Sequence, residues 1–106
     1  MPREKRRKSS NGIYHIMHRG INRQTIFEDD EDRIRLLKTI KRYKEISKCK
    51  IYCYCLMDNH IHLLLEETEE SVSKIMQRIS ASYVYWYNNK YERCRHLFQK
   101  DLKVRM

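Results

Sequence analysis

Apolar residues along this chain change their spacing several times, and each change marks an element. Ile13-Tyr14-His15-Ile16-Met17-His18-Arg19 reads as a first strand stopped by Gly20, with Ile21-Asn22-Arg23-Gln24 as a polar loop. Ile34, Leu37, Ile40, Tyr43 and Ile46 then recur at helical spacing among lysines and arginines, predicting a helix to about Lys48. The acidic run Glu28-Asp29-Asp30-Glu31-Asp32 resembles a metal site but suits the helix start better. Carboxylates there cap free amides and favour the positive end of the dipole. Ile51 to Leu56, rich in Tyr, Cys and Ile, predicts a second strand. Asp58-Asn59 turns it into a third, His60–Leu65. Ser71 can cap a second helix with the stripe Val72, Ile75, Met76, Ile79, Tyr83, Trp86 and Tyr87. His96-Leu97-Phe98-Gln99 and the residues after it predict a fourth strand. The order β-α-β-β-α-β predicts an α+β, ferredoxin-like fold: an antiparallel sheet with both helices on one face.

That arrangement gives His60-Ile61-His62 a meaning. Side chains alternate along a strand, so His60 and His62 share a face, about 7 Å apart along it, while Ile61, Leu63 and Leu65 suit the covered side. The two imidazoles therefore face the open side, where they can grip one divalent ion if further ligands come from elsewhere. By ligand preference alone, imidazoles suit zinc, nickel or copper better than magnesium.

Charge adds a partner. Across 106 residues, Lys plus Arg outnumber Asp plus Glu by 23 to 14, a formal charge of +9, which points to a polyanion and by default to nucleic acid. Residues 1–10 form a basic arm whose Arg6, Arg7 and Lys8 are candidates for phosphate contacts. Arg19, Asn22 and Arg23, and His15 or His18 on opposite faces of the first strand, are further candidates for DNA contact. Residues 11–106 make one domain. No stretch approaches the roughly 20 apolar residues of a membrane span, and no signal-peptide pattern opens the chain. The expected compartment is the cytoplasm. Cys49, Cys53, Cys55 and Cys94 show no zinc-type pairing and read as buried or half-buried thiols.

Several stretches together resemble the REP-associated single-tyrosine HUH transposases, of the IS200-like type. They are Tyr14-His15-Ile16-Met17-His18-Arg19-Gly20 with Asn22-Arg23, Ile26-Phe27 before the acidic helix start, and Leu56-Met57. Asn59-His60-Ile61-His62-Leu63-Leu64-Leu65 and His96-Leu97-Phe98-Gln99 complete the set, in matching order along nearly the whole chain. The resemblance implies binding of single-stranded DNA beside a hairpin, and strand cleavage and rejoining through a 5′-phosphotyrosine. It also implies a magnesium or manganese ion on His60 and His62, and pairing of copies into a homodimer. In chemical terms the metal would stabilise charge on phosphate oxygens, and the tyrosine would divide one transfer into two.

Departures accompany the match. The family's nucleophilic tyrosine and its remaining metal ligand lie on a helix beyond the fourth strand, whereas this sequence reads to Met106. Arg95 stands where the family usually has glycine, and Lys100-Asp101-Leu102-Lys103-Val104-Arg105 replaces the usual continuation. The expectation is a domain lacking the C-terminal catalytic helix, through an early stop or a frameshift near residue 100. Tyr83 and Tyr87 fall on the apolar stripe; Tyr91 and Tyr85 are the substitutes left, and neither matches the family position. No nucleophile is assigned. Two alternatives stay open: an active nuclease or transposase completed by Tyr91, Tyr85 or a partner chain, and a non-enzymatic RNA-binding module stacking bases on Tyr52 or Tyr54.

Overall fold

A computed structural model describes residues 12–94, 96–99 and 103–105. The strands are β1 (Ile13–Arg19), β2 (Lys50–Met57), β3 (His60–Glu66) and β4 (Lys103–Arg105); the helices are α1 (Asp30–Ser47) and α2 (Val72–Tyr91). All strand pairs are antiparallel and the sheet order is β2-β3-β1-β4. This is the expected ferredoxin-like arrangement, with β1 and β3 at the centre.

Alternation along the central strands builds the two faces. Tyr14 and Ile16 of β1, with Ile61, Leu63 and Leu65 of β3, are buried beneath the helices. They meet Ile75, Met76, Ile79, Tyr83 and Tyr87 of α2, the expected stripe. Ser71 caps α2 by accepting from the Lys74 amide, and Asp29 caps α1 by accepting from the Asp32 amide. The acidic run is therefore a helix start, as its chemistry requires.

Two expectations need correction. The buried face of α1 is only partly the Ile34–Ile46 stripe: Ile40 is buried and Leu37 and Tyr43 pack against the core, but Ile34 and Ile46 are exposed, whereas Asp32, Leu36, Thr39 and Ser47 are buried. Asp32 sets that rotation. Its carboxylate accepts from the Glu28 amide, the Tyr91 hydroxyl and Lys90 Nζ, a network that satisfies a fully buried charge. Thr39 satisfies its hydroxyl on the Arg35 carbonyl. Hydrophobic periodicity skips such residues.

The last strand also lies later than expected. β4 is Lys103–Arg105, opposite Met17–His15 of β1. His96–Gln99 is an extended strap with a single bridge, Phe98 to Gly20. It is fastened by Ile21 N–H to the Leu97 carbonyl and Gln99 N–H to the Arg19 carbonyl, both 2.8 Å. Leu97 and Phe98 are buried, so packing against the core holds the strap rather than a continuous ladder.

Candidate functional site

Register assembles the open face. Across β1 and β3, Met17 lies opposite His62 and Arg19 opposite His60. On the other side of β3, Cys55 lies opposite His62 and Met57 opposite His60. Directly opposed residues in an antiparallel pair share a face. His60 and His62 are both half-buried, their rings edge-on with centroids 4.9 Å apart.

Hydrogen bonds orient the rings. His60 Nδ1 lies 2.7 Å from Asn59 Oδ1, an acceptor, so Nδ1 carries the proton and Nε2 keeps its lone pair. His15 reaches diagonally to His62 and stacks on it, with His15 Nε2 3.1 Å from His62 Nδ1. When His62 Nδ1 donates in that contact, His62 too presents a bare Nε2. Neither Nε2 has a partner among the described residues. Burial, then the fields of His60, His15 and Arg19, hold the His62 imidazole below its ordinary pKa and favour the neutral, ligating form.

Among the described residues no group of three or more His, Cys, Asp or Glu side chains is arranged to hold a metal. The donor set is two imidazoles. Such a pair fits a divalent cation that fills its other positions with water or phosphate oxygens, and holds it weakly. His15, a candidate DNA contact by sequence, stands against His62, a place that follows from cross-strand register and that no local pattern announces.

The loop after β1 frames the His60 end of the sheet. Gly20 N–H donates to the Asn59 carbonyl and Ile26 N–H to that of Asp58, clamping the loop to the β2–β3 turn. A Cβ on Gly20 would sit 2.3 Å from the Gln24 carbonyl oxygen, so no side chain fits there. Asn22 and Arg23 both adopt left-handed backbone angles, φ 54° and 59°, and both are exposed. Arg19 is thus opposite His60 in register, and Asn22 and Arg23 belong to the loop clamped to the neighbouring Asp58-Asn59 turn. Arg6, Arg7 and Lys8 lie outside the described residues.

A model of the family described as "Transposase IS200 like" matches residues 8–104. The chain belongs to the IS200-like transposase family. A REP-associated tyrosine transposase bound to a REP hairpin has the same fold as this IS200-like chain, with TM-score 0.77 and 14% identity over 99% of this chain and 61% of the other. A proposed transposase from Deinococcus radiodurans R1 gives TM-score 0.74 and 12% identity over 99% of this chain and 85% of its own. No curated protein matches the chain. The chain therefore spans less than two thirds of the hairpin-bound relative.

The α2 tyrosines of this family member lie on the other side of the sheet. Tyr83 donates to the Ile26 carbonyl and Tyr87 to Glu28. Tyr91, the last residue of α2, is half-buried and donates to Asp32 at 2.6 Å. Burial and the Asp32 carboxylate raise its pKa, which disfavours the phenolate a nucleophile needs. Tyr85 is exposed, on a helix that packs against the face opposite His60 and His62. The fold brings neither Tyr91 nor Tyr85 to the histidines.

Tyr52 and Tyr54 fall on edge strand β2, away from the sheet centre where a stacking RNA module would need them. The cysteines also depart from expectation: Cys49 is buried, but Cys53, Cys55 and Cys94 are exposed. β2 is an edge strand, so its open-face residues have a neighbour on one side only. No described helix is long and apolar enough to cross a membrane.

Proposed function

We propose that this IS200-like chain binds single-stranded DNA with a hairpin over the open face of its sheet, and that His60 and His62 hold a divalent cation against a backbone phosphate. The observation that carries the reading is the pair of unpartnered Nε2 atoms on one face, with Arg19 opposite His60. The +9 charge and the REP hairpin named for the similar structure support the choice of partner.

Within this reading Asn59 fixes the His60 tautomer, His15 fixes that of His62, and Arg19 places a guanidinium beside the cation site for a phosphate oxygen. A bound magnesium or manganese ion would neutralise charge developing on that phosphate during strand transfer. Family chemistry, cleavage and rejoining through a 5′-phosphotyrosine, requires a tyrosine beside the two histidines, and neither Tyr91 nor Tyr85 stands on their face.

Fluorescence anisotropy with hairpin, single-stranded and blunt duplex DNA, with and without manganese, tests the reading. Hairpin and single strands should bind best, with an increment from manganese that His60→Ala/His62→Ala removes. Equal affinity for blunt duplex, or a manganese increment unchanged in the double variant, would overturn it.

A further inference from the structure

On the side of the sheet away from His60 and His62, the helix layer leaves a gap at the edge. Tyr54 lies opposite Leu63 in register, so both point to the helix side. Leu63 is 1% exposed there and Tyr54 is 55% exposed. The space beside Tyr54 is a groove of about 520 Å³ between α1 and β2. Leu37, Ile40 and Ile51 line its apolar part, and Lys41 and Lys44 come from one face of α1. Neither lysine has an ion-pair partner among the described residues. Tyr52, displaced by a break in the β2–β3 register, stands at the mouth and donates to Glu66 at 2.5 Å.

We propose that this groove is a second nucleic-acid subsite: it takes one unpaired base against Tyr54, with the adjoining phosphate between Lys41 and Lys44. The proposal rests on the DNA-binding reading and deepens it. An apolar slot with an aromatic wall suits a planar base, which stacks whatever its sequence. Two ammoniums without carboxylate partners suit the phosphate it carries. β2 is the outermost strand, so the groove is open to solvent along the sheet edge. A strand lying on the histidine face can turn around that edge and set its next unpaired nucleotide in the groove.

The probe is a short oligothymidylate, measured by anisotropy across a salt series, together with a 5-iodouracil-substituted version for photocrosslinking. Tyr54→Ala and Lys41→Ala/Lys44→Ala alter exposed side chains, so the fold should survive, as circular dichroism will show. Tyr54→Ala should weaken binding about tenfold. The double lysine variant should lower the slope of log K against log salt by about 0.7, the value for one phosphate contact on a single strand and a change a purely structural role would not give. The crosslink should map to Tyr54. Wild-type affinity and slope in both variants, with crosslinks only on the histidine face, would overturn the subsite and leave the DNA reading standing. Failure of the wild type to bind any single strand at low salt would remove the parent reading, and the subsite with it. If Tyr54→Ala instead converts a dimer into a monomer in analytical ultracentrifugation, the groove is a contact between copies and the proposal falls.

Discussion

His15 and His62 meet across the β1–β3 pair with Nε2 and Nδ1 3.1 Å apart, so an imidazole on one strand orients an imidazole on the next, and leaves the His62 Nε2 bare when His62 Nδ1 donates. His60→Ala/His62→Ala should abolish manganese or zinc binding by the chain in calorimetry. His15→Ala keeps both ligands but frees the His62 ring, and should cost about tenfold in affinity, as loss of an orienting partner does elsewhere. Wild-type affinity in His15→Ala would show that His62 is oriented by its strand alone.

Gly20 should tolerate no side chain. Its Cβ position lies 2.3 Å from a backbone oxygen, and backbone cannot swing aside as a flexible side chain can. Gly20→Ala should destabilise the domain by about 2 kcal/mol in urea unfolding. It should also weaken hairpin binding, because the loop bearing Asn22 and Arg23 is clamped through Gly20 to the Asn59 carbonyl. Unchanged stability would mean that the Gln24 backbone moves freely.

No phosphotyrosine is expected through Tyr91 or Tyr85. Productive attack needs the phenol oxygen about 3–3.5 Å from phosphorus, and both residues belong to a helix packed on the face opposite His60 and His62. Hairpin DNA incubated with manganese should give no covalent adduct on a denaturing gel that depends on either residue. An adduct lost in Tyr91→Phe or Tyr85→Phe would contradict this placement. Tyr91→Phe should instead destabilise the fold by about 1–3 kcal/mol, since Asp32 loses a buried donor.

Acid should weaken the domain through His18. The ring is buried against Phe98; its Nε2 donates to the Gln99 carbonyl, and Nδ1 accepts from the Ser80 hydroxyl. Burial pushes its pKa from 6.5 down to about 4, against a partly opposing hydrogen bond to Gln99. The unfolded chain thus binds this proton first. The neutral ring's contribution is complete above about pH 6.5 and falls as pH drops towards 4, by about 3 kcal/mol in all. Urea unfolding at about pH 7 and about pH 4.5 should show a loss in the wild type that His18→Gln reduces by about 2 kcal/mol. The same pH dependence in both would exclude His18.

Local chemistry carries a long way in this chain. Asp58-Asn59 between two apolar runs fixes the hairpin, and Ser71 and Asp29 mark helix starts, because turns and caps depend on residues adjacent in sequence. Alternation alone puts His60 and His62 on one face. The rotation of α1 escapes that kind of reading, because Asp32 is buried by partners nearly sixty residues away in α2.

The sequence by itself thus determined the order of elements, the α+β fold, the family and the histidine pair, all of which follow from near-neighbour periodicity and motif. Only the tertiary structure decided that His15 joins His62, that the strap His96–Gln99 lies beside β1 without forming a strand, and that Tyr91 is tied to Asp32 behind the sheet. Each of these is a contact between distant segments, set by strand register and by which polar groups must be satisfied when a particular face is buried.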